Sequence, residues 1–188
     1  MKASETTLQS VIEGQKQYIV PLYQRPYRWG KKQWQTLWDD LTELCEADGP
    51  KSHFLGSLVT MQTTSVPEGV PKFFLIDGQQ RLTTIFILLT LLRDASDAAG
   101  EAELGAEIQN VLLVNAYKKG NEYFKILPTQ ADRAAFQGLI RREDIDGKSE
   151  IDQAYRFFEA KLRGRSPGVR ALKRAITENI SIVSIVLD

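Results

Sequence analysis

Lys72-Phe73-Phe74-Leu75-Ile76-Asp77-Gly78-Gln79-Gln80-Arg81-Leu82-Thr83-Thr84 is the stretch whose reading decides the fold. Residues 72–76 are mostly apolar without polar alternation, which predicts a strand in the interior of a sheet. That strand runs straight into an Asp-Gly turn. The apolar series that follows, Leu82 to Leu92, predicts a buried helix reaching about Asp94. The first backbone N–H groups of a helix have no partner within it, and the helix dipole adds positive potential at that end. A strand–turn–helix of this kind is therefore ready to receive an anion such as phosphate. Gly78 lets the backbone turn sharply and approach a ligand. Arg81 offers a two-pronged grip on phosphate oxygens, and Thr83 and Thr84 place hydroxyls in the first turn.

Asp77 is the odd member, because a carboxylate repels phosphate. Two roles resolve the conflict: it holds Mg²⁺, which bridges carboxylate and phosphates, or it orients Arg81 or an attacking water. Gln79 and Gln80 can position that water or read a base edge, since an amide both donates and accepts. The plainer alternative is a common Asp-Gly turn with Asp77 as a cap. The loop is not a Walker A motif, lacking the Gly-Lys-Ser/Thr ending.

Working outward, Ser4 is expected to cap a short helix that carries Leu8, Val11 and Ile12 on one face and stops near Gly14. Tyr18-Ile19-Val20 predicts a short strand ending at Pro21. Residues 22–29 show no period and read as a loop held by Pro21 and Pro26. Trp34, Leu37, Trp38, Leu41, Leu44 and Cys45 recur at helical spacing from Lys31 until Gly49-Pro50. His53–Gln62 reads as a strand followed by a polar turn through Gly69. Further on, Thr129, Ser149 and Ser166-Pro167 are expected helix starts, and 180–187 has strand character. Residues 1–100 form the expected core and 101–188 a mainly helical continuation of the same domain. The chain is expected to continue beyond Asp188.

Composition narrows the chemistry. The 188 residues, 43% hydrophobic and 26% charged, suit one soluble globular domain with a sizeable core. Net charge is zero, so a nucleic-acid site must be a local patch. One cysteine permits no intramolecular disulfide and fits a cytoplasmic setting. With one histidine beside it, neither a Cys/His zinc site nor a histidine-rich nuclease centre can be built. The first five residues lack a signal-peptide core, and Leu82–Leu92 is too short to span a bilayer; no membrane partner is expected.

Several further residues are candidates. Arg25 and Arg28, with Lys31 and Lys32, can meet nucleotide phosphates or DNA backbone, and Tyr23, Tyr27 and Trp29 among them make a base-stacking surface. The alternative ties these arginines to Asp39 and Asp40 and packs the aromatics inside. Trp34 and Trp38 fit the core. Seven basic residues against Glu159 between Arg156 and Arg174 make Arg170, Lys173 and Arg174 a candidate DNA-backbone patch, with a solvated helix surface as the alternative. His53 reads as an ordinary surface histidine and Cys45 as an inert core residue.

Three segments then stand in a recognisable order: Val20-Pro21-Leu22-Tyr23-Gln24-Arg25-Pro26-Tyr27-Arg28-Trp29, Phe54-Leu55-Gly56-Ser57, and Ile76-Asp77-Gly78-Gln79-Gln80-Arg81-Leu82-Thr83-Thr84. Together they resemble the N-terminal domain of GmrSD-type, type IV restriction proteins, a branch of the ParB/sulfiredoxin-like fold. The first half of the chain carries the similarity. The rest follows in general pattern, with Tyr155-Arg156-Phe157-Phe158 a weaker echo.

The resemblance implies a helix-rich α/β domain, a small mixed sheet flanked by helices, that binds and hydrolyses nucleoside triphosphates with Mg²⁺. It implies coupling to recognition of modified foreign DNA or of a host mark such as phosphorothioate. An HNH-type nuclease domain is implied elsewhere in the full-length protein, and a homo-oligomer is a possible assembly. Carried onto this chain, Asp77, Gln79, Gln80 and Arg81 are catalytic, with Asp77 also the metal ligand. Tyr23, Gln24, Arg25, Tyr27 and Arg28 line the same pocket from the facing segment. Taken with the residue reading above, Gly78, Thr83, Thr84, Tyr23, Gln24, Arg25 and Arg28 are the expected nucleotide-binding residues, and Tyr27, Trp29, Lys31, Lys32, Arg170, Lys173 and Arg174 the expected DNA-binding ones. The competing expectation is a non-catalytic ParB-like DNA- or nucleotide-binding module. Sulfiredoxin places a reactive cysteine in the equivalent loop; Gln79 and Gln80 stand there in this chain, which argues against thiol chemistry.

Overall fold

The computed structural model describes residues 1–49, 51–63, 69–164 and 166–188. One six-stranded mixed sheet is flanked by helices, an α/β arrangement in the order β1 (Lys2–Thr7), α1 (Leu8–Ile12), β2 (Gln17–Ile19), α2 (Lys31–Glu46), β3 (His53–Gln62), β4 (Lys72–Asp77), α3 (Gln79–Ala98), α4 (Ala102–Glu107), β5 (Ile126–Leu127), α5 (Gln130–Arg141), α6 (Glu150–Leu162), α7 (Val169–Arg174) and β6 (Ile180–Leu187). The strands lie in the sequence β1-β6-β3-β4-β2-β5. β4 is thus interior, antiparallel to β3 and parallel to β2, as its apolar run predicts. β6, from the far end of the chain, pairs antiparallel with β1 and parallel with β3.

α3 is the centre of the molecule. Leu82, Ile85, Phe86, Ile87, Leu88, Leu89, Leu91 and Leu92 are all buried. A helix apolar on every side must be enclosed on every side, and α4, α5, α6 and α7 pack around this one. The helix runs four residues past the expected end at Asp94 and includes Arg93, whose side chain is fully buried. Burying a lone guanidinium costs several kcal/mol. Here it donates to the carbonyls of Leu139 and Ile140 at the C-terminal end of α5, at 3.0 and 2.8 Å, and pairs with Asp94 at 2.7 Å. Those carbonyls carry the negative pole of α5, so the cation satisfies groups the helix leaves open.

Two expected helix starts move. Ser4 lies within β1, held by the ladder to β6, and Thr7 caps α1 by accepting from the Ser10 N–H at 3.3 Å. Ser166-Pro167 does not open α7. Pro167 is buried, and Gly168 holds the cap position with extended backbone, its carbonyl accepting the first helical bond from Leu172 at 3.0 Å. Thr129 and Ser149 do precede α5 and α6. The Pro50 stop and most of the turn expected before Gly69 lie outside the described residues. No described helix is long and apolar enough to cross a membrane.

Candidate functional site

The site forms where β4 ends and α3 begins. Gly78 takes the N-cap place of α3 with φ 92°, in the left-handed region that other residues enter only at a cost. A Cβ there would sit 2.8 Å from Leu58 Cδ1 and 3.1 Å from the Ser57 carbonyl, so close packing against β3 also demands glycine. No side chain caps this end of α3. Its first N–H groups face a cleft of about 270 Å³ lined by Gln24, Arg25 and Trp29 on one side and by residues 77–81 on the other.

The three sequence segments interlock in space, which explains why they occur together. Gly56 has φ 123° beside a register shift in β3, and its missing side chain leaves room for the Arg81 guanidinium. Arg81 Nη2 donates to the Ser57 carbonyl at 2.6 Å and lies 3.6 Å from the Asp77 carboxylate. The two glutamines hold the 24–29 loop. Gln79 Nε2 donates to Gln24 Oε1 at 3.1 Å and to the Arg25 carbonyl at 3.3 Å. Gln80 Oε1 accepts from the N–H groups of Arg28 (2.7 Å) and Trp29 (3.3 Å), while its Nε2 donates to the Pro26 carbonyl at 3.2 Å. Gln24 Nε2 in turn reaches the Ile76 carbonyl at 2.9 Å. A donor–acceptor amide suits this task, because the loop offers both N–H and C=O groups.

Beneath the loop runs a buried relay. Trp34 Nε1 donates to the Tyr27 hydroxyl at 2.8 Å, Tyr27 shares a 2.6 Å hydrogen bond with Thr84, and Thr84 donates to the Gln80 carbonyl at 2.7 Å. Burial pushes the Tyr27 phenol well above its ordinary range. Asp132, which the sequence reading left without a role, fixes the other end: its carboxylate accepts from the Tyr27 N–H at 2.7 Å and from the Thr129 hydroxyl at 2.6 Å. The Thr-x-x-Asp spacing at the start of α5 was its available signal.

Of the expected site residues, the structure gathers Gln24, Arg25, Trp29, Asp77, Gly78, Gln79, Gln80 and Arg81 around one cleft. Others stand elsewhere. Thr83, Thr84 and Tyr27 are buried, with Thr84 and Tyr27 hydroxyls already paired, so none of the three faces a nucleotide or DNA. The Arg28 side chain turns to Glu150 at 3.6 Å instead of lining the cleft. Tyr23 projects into solvent at 75% exposure, beside Leu22 at 81%. Lys31 is exposed on α2 away from the cleft, and Lys32 lines a neighbouring pocket with Trp29 and Arg81.

The alternative in which Arg25 and Arg28 bind Asp39 and Asp40 does not hold either. Asp40 pairs with His53 at 3.2 Å and Asp39 with Gln35 at 2.7 Å. Arg25 is exposed at the cleft with no ion pair among the described residues. The candidate DNA patch on α7 is neutralised residue by residue: Arg170 with Glu101, Lys173 with Glu107 at 2.5 Å, Arg174 with Glu178 at 3.3 Å. Two of the three acidic partners, Glu101 and Glu107, are distant in sequence and were hidden from the local charge count; Glu178 lies one helical turn beyond Arg174. Cys45 is half-buried, and burial followed by the Glu46 charge raises its thiol pKa, the opposite of an activated nucleophile.

No group of three or more His, Cys, Asp or Glu side chains among the described residues could hold a metal unaided. Among the described residues Asp77 is the one carboxylate lining the cleft, and its side chain is 63% exposed. Such a site fits Mg²⁺ that arrives with a polyphosphate, since that ion is commonly held by one or two carboxylates with substrate oxygens and water.

A search of curated proteins gave no match. The family model for the GmrSD restriction endonuclease N-terminal domain matches residues 8–188. With nearly the whole length matched, the chain belongs to the GmrSD N-terminal domain family of restriction-related defence proteins.

Proposed function

We propose that this domain binds a nucleoside triphosphate at the Asp77–Arg81 loop and hydrolyses it, with turnover linked to recognition of modified DNA and cleavage left to a nuclease domain elsewhere in the full-length protein. The observation that carries the reading is the uncapped start of α3 opening into a cleft whose opposite wall presents Arg25, an exposed cation without an ion-pair partner among the described residues. The N–H groups of residues 79–81 and Arg25 together hold phosphate oxygens. Asp77 would hold a Mg²⁺ ion that arrives with the nucleotide, and that ion would supply charge neutralisation. Arg81, anchored on Ser57, keeps its remaining N–H groups for charge that develops during transfer. Gln79 uses its amide nitrogen on Gln24 and Arg25, so its part with an attacking water is that of an acceptor through Oε1. Tyr23, Leu22 and Lys31 lie on the exposed flank and are the residues available to DNA.

The test is phosphate release from ATP, GTP, CTP and UTP with Mg²⁺, with and without modified DNA. Arg25→Ala and Asp77→Asn alter exposed side chains, so both variants should fold like the parent. We expect Arg25→Ala to weaken nucleotide binding by about tenfold or more, the worth of one charge-assisted hydrogen bond. Asp77→Asn should abolish Mg²⁺-dependent release. Equal release by parent and both variants under every condition would remove the enzymatic reading. The engagement of both glutamines as loop latches favours the second reading, a nucleotide- or DNA-responsive binding module without turnover. Tight nucleotide binding with no release would select it.

A further inference from the structure

Beyond Arg81 and Trp29 the phosphate cleft adjoins a second pocket of about 340 Å³, lined on one side by α2 and on the other by the start of β3. Gln33, Leu37 and Asp40 stand at helical spacing along one face of α2, and His53 and Leu55 alternate onto the same side of β3. Leu37 is buried and Leu55 and Trp29 are partly buried, which gives the pocket an apolar surface within a polar rim of Lys32, Gln33 and Thr36. At the far end the Asp40 carboxylate is held 3.2 Å from His53 Nε2, and both side chains are about one-third exposed (32% and 33%). Nothing in the Asp77–Arg81 loop uses this pair.

We propose that this second pocket is the nucleobase subsite of the nucleotide whose phosphates occupy the first cleft, and that Asp40, oriented by His53, accepts an N–H from the base edge. The proposal rests on the reading of the first cleft as a triphosphate site. A nucleotide is a polyanion joined to a flat, apolar-faced ring, and it needs a polar cationic lobe beside an apolar-walled one. The two pockets supply both, with Trp29 and Arg81 as their common wall. Gln33 and Asp40 lie seven residues apart on α2, about 10 Å of helix rise, so the α2 wall of the pocket is long enough to run beside a ribose and base. A carboxylate in that position repels phosphate and selects a donor. His53 Nε2 stands 3.2 Å from one Asp40 oxygen, and the other is left for the ligand.

The experiment titrates the protein with each of the four nucleoside triphosphates and with inorganic tripolyphosphate, in Mg²⁺. Affinity is followed by calorimetry and by the quencher-accessible part of the tryptophan emission, which is that of Trp29 because Trp34 and Trp38 are buried. The expected result is that nucleotides bind at least tenfold tighter than tripolyphosphate and quench Trp29. Asp40→Asn should change the affinity ratio among the four bases by about tenfold, the effect of one hydrogen bond to a charged group. Tripolyphosphate affinity and the unfolding midpoint should stay within twofold and 2 °C, roughly the scatter of neutral surface changes. Thr36→Phe, at an exposed position on the pocket wall, should bring every nucleotide down to tripolyphosphate strength. Nucleotides binding no tighter than tripolyphosphate, or both variants leaving nucleotide affinities unchanged, would overturn the base subsite while leaving the phosphate site standing. If neither tripolyphosphate nor any nucleotide binds, the phosphate site fails, and this assignment fails with it.

Discussion

Replacing Gln80 by leucine separates a latch from a catalytic group. The Gln80 amide makes three hydrogen bonds to the 26–29 backbone, at 2.7, 3.3 and 3.2 Å. Each is worth about 0.5–1.5 kcal/mol net. The groups they satisfy are partly buried, so water reaches some of them after the change and the sum stays in the lower part of its range. Leucine matches the volume and adds no cavity. The expected loss is about 2–3 kcal/mol, which for a domain of this size lowers Tm by roughly 4–12 °C. Gln80→Glu keeps an acceptor for the Arg28 and Trp29 N–H groups but sets a carboxylate oxygen against the Pro26 carbonyl. It should lose roughly 1–2 kcal/mol.

Thermal and urea unfolding of the three proteins, with Trp29 emission as a local probe, gives the order parent, glutamate, leucine. Nucleotide affinity should fall in the same order, because Arg25 belongs to the loop that the latch positions. A leucine variant that melts with the parent yet loses phosphate release would refute this reasoning and return Gln80 to the chemistry.

Gly78→Ala introduces a left-handed alanine and a Cβ 2.8 Å from Leu58 Cδ1, for a combined loss of about 2–4 kcal/mol; an unchanged urea midpoint would contradict the close packing of α3 on β3. Lys125 is buried, its ammonium donating to the carbonyls of Ile12 and Val111 at 2.7 and 2.6 Å, and burial pulls its pKa down to about 8. Between about pH 8 and the unfolded value near 10.5 the unfolded chain binds more protons than the folded one, so stability contributed at this residue rises with pH across that window. Relative to a Lys125→Met variant, the parent should gain on the order of 1–2 kcal/mol from pH 7.5 to pH 10, and a flat difference in urea unfolding over that range would show that the ammonium titrates as if in water.

The strand–turn–helix at 72–84 was legible because its signals are local: an apolar run, a glycine, a second apolar run. β6 was legible in the same way from Ile180–Leu187, although its place between β1 and β3 was not, since pairing partners 120 or more residues apart leave no mark on either segment. The charge on α7 was misleading for the same reason. Glu101 and Glu107 pair with Arg170 and Lys173 across the fold, and α7 read alone contains only the cations. Thr84 and Tyr27 show a further limit. Hydroxyls on and around an uncapped helix start look like ligand donors, and only packing reveals that they satisfy one another under the loop.

The converse holds for Arg81, Gly56 and Ser57. Family resemblance marked all three, but the physical tie between them is a single contact, a guanidinium crossing a strand where a side chain is missing. This contact changes what the Asp77–Arg81 loop can be. A guanidinium free to swing would serve phosphate alone. One pinned to β3 also forms the wall between the Asp77–Arg81 cleft and the Asp40–His53 pocket, so on the proposed reading the residue that completes the anion site sets where the rest of a nucleotide would lie. A mutation at Gly56 should therefore disturb both lobes at once, although its own atoms touch neither ligand. An alanine there places its Cβ 3.2 Å from Arg81 Cζ. The expected outcome is a parallel loss of tripolyphosphate affinity and of discrimination among bases, measured in the same titrations. Loss of one without the other would show that Arg81 does not couple the two pockets.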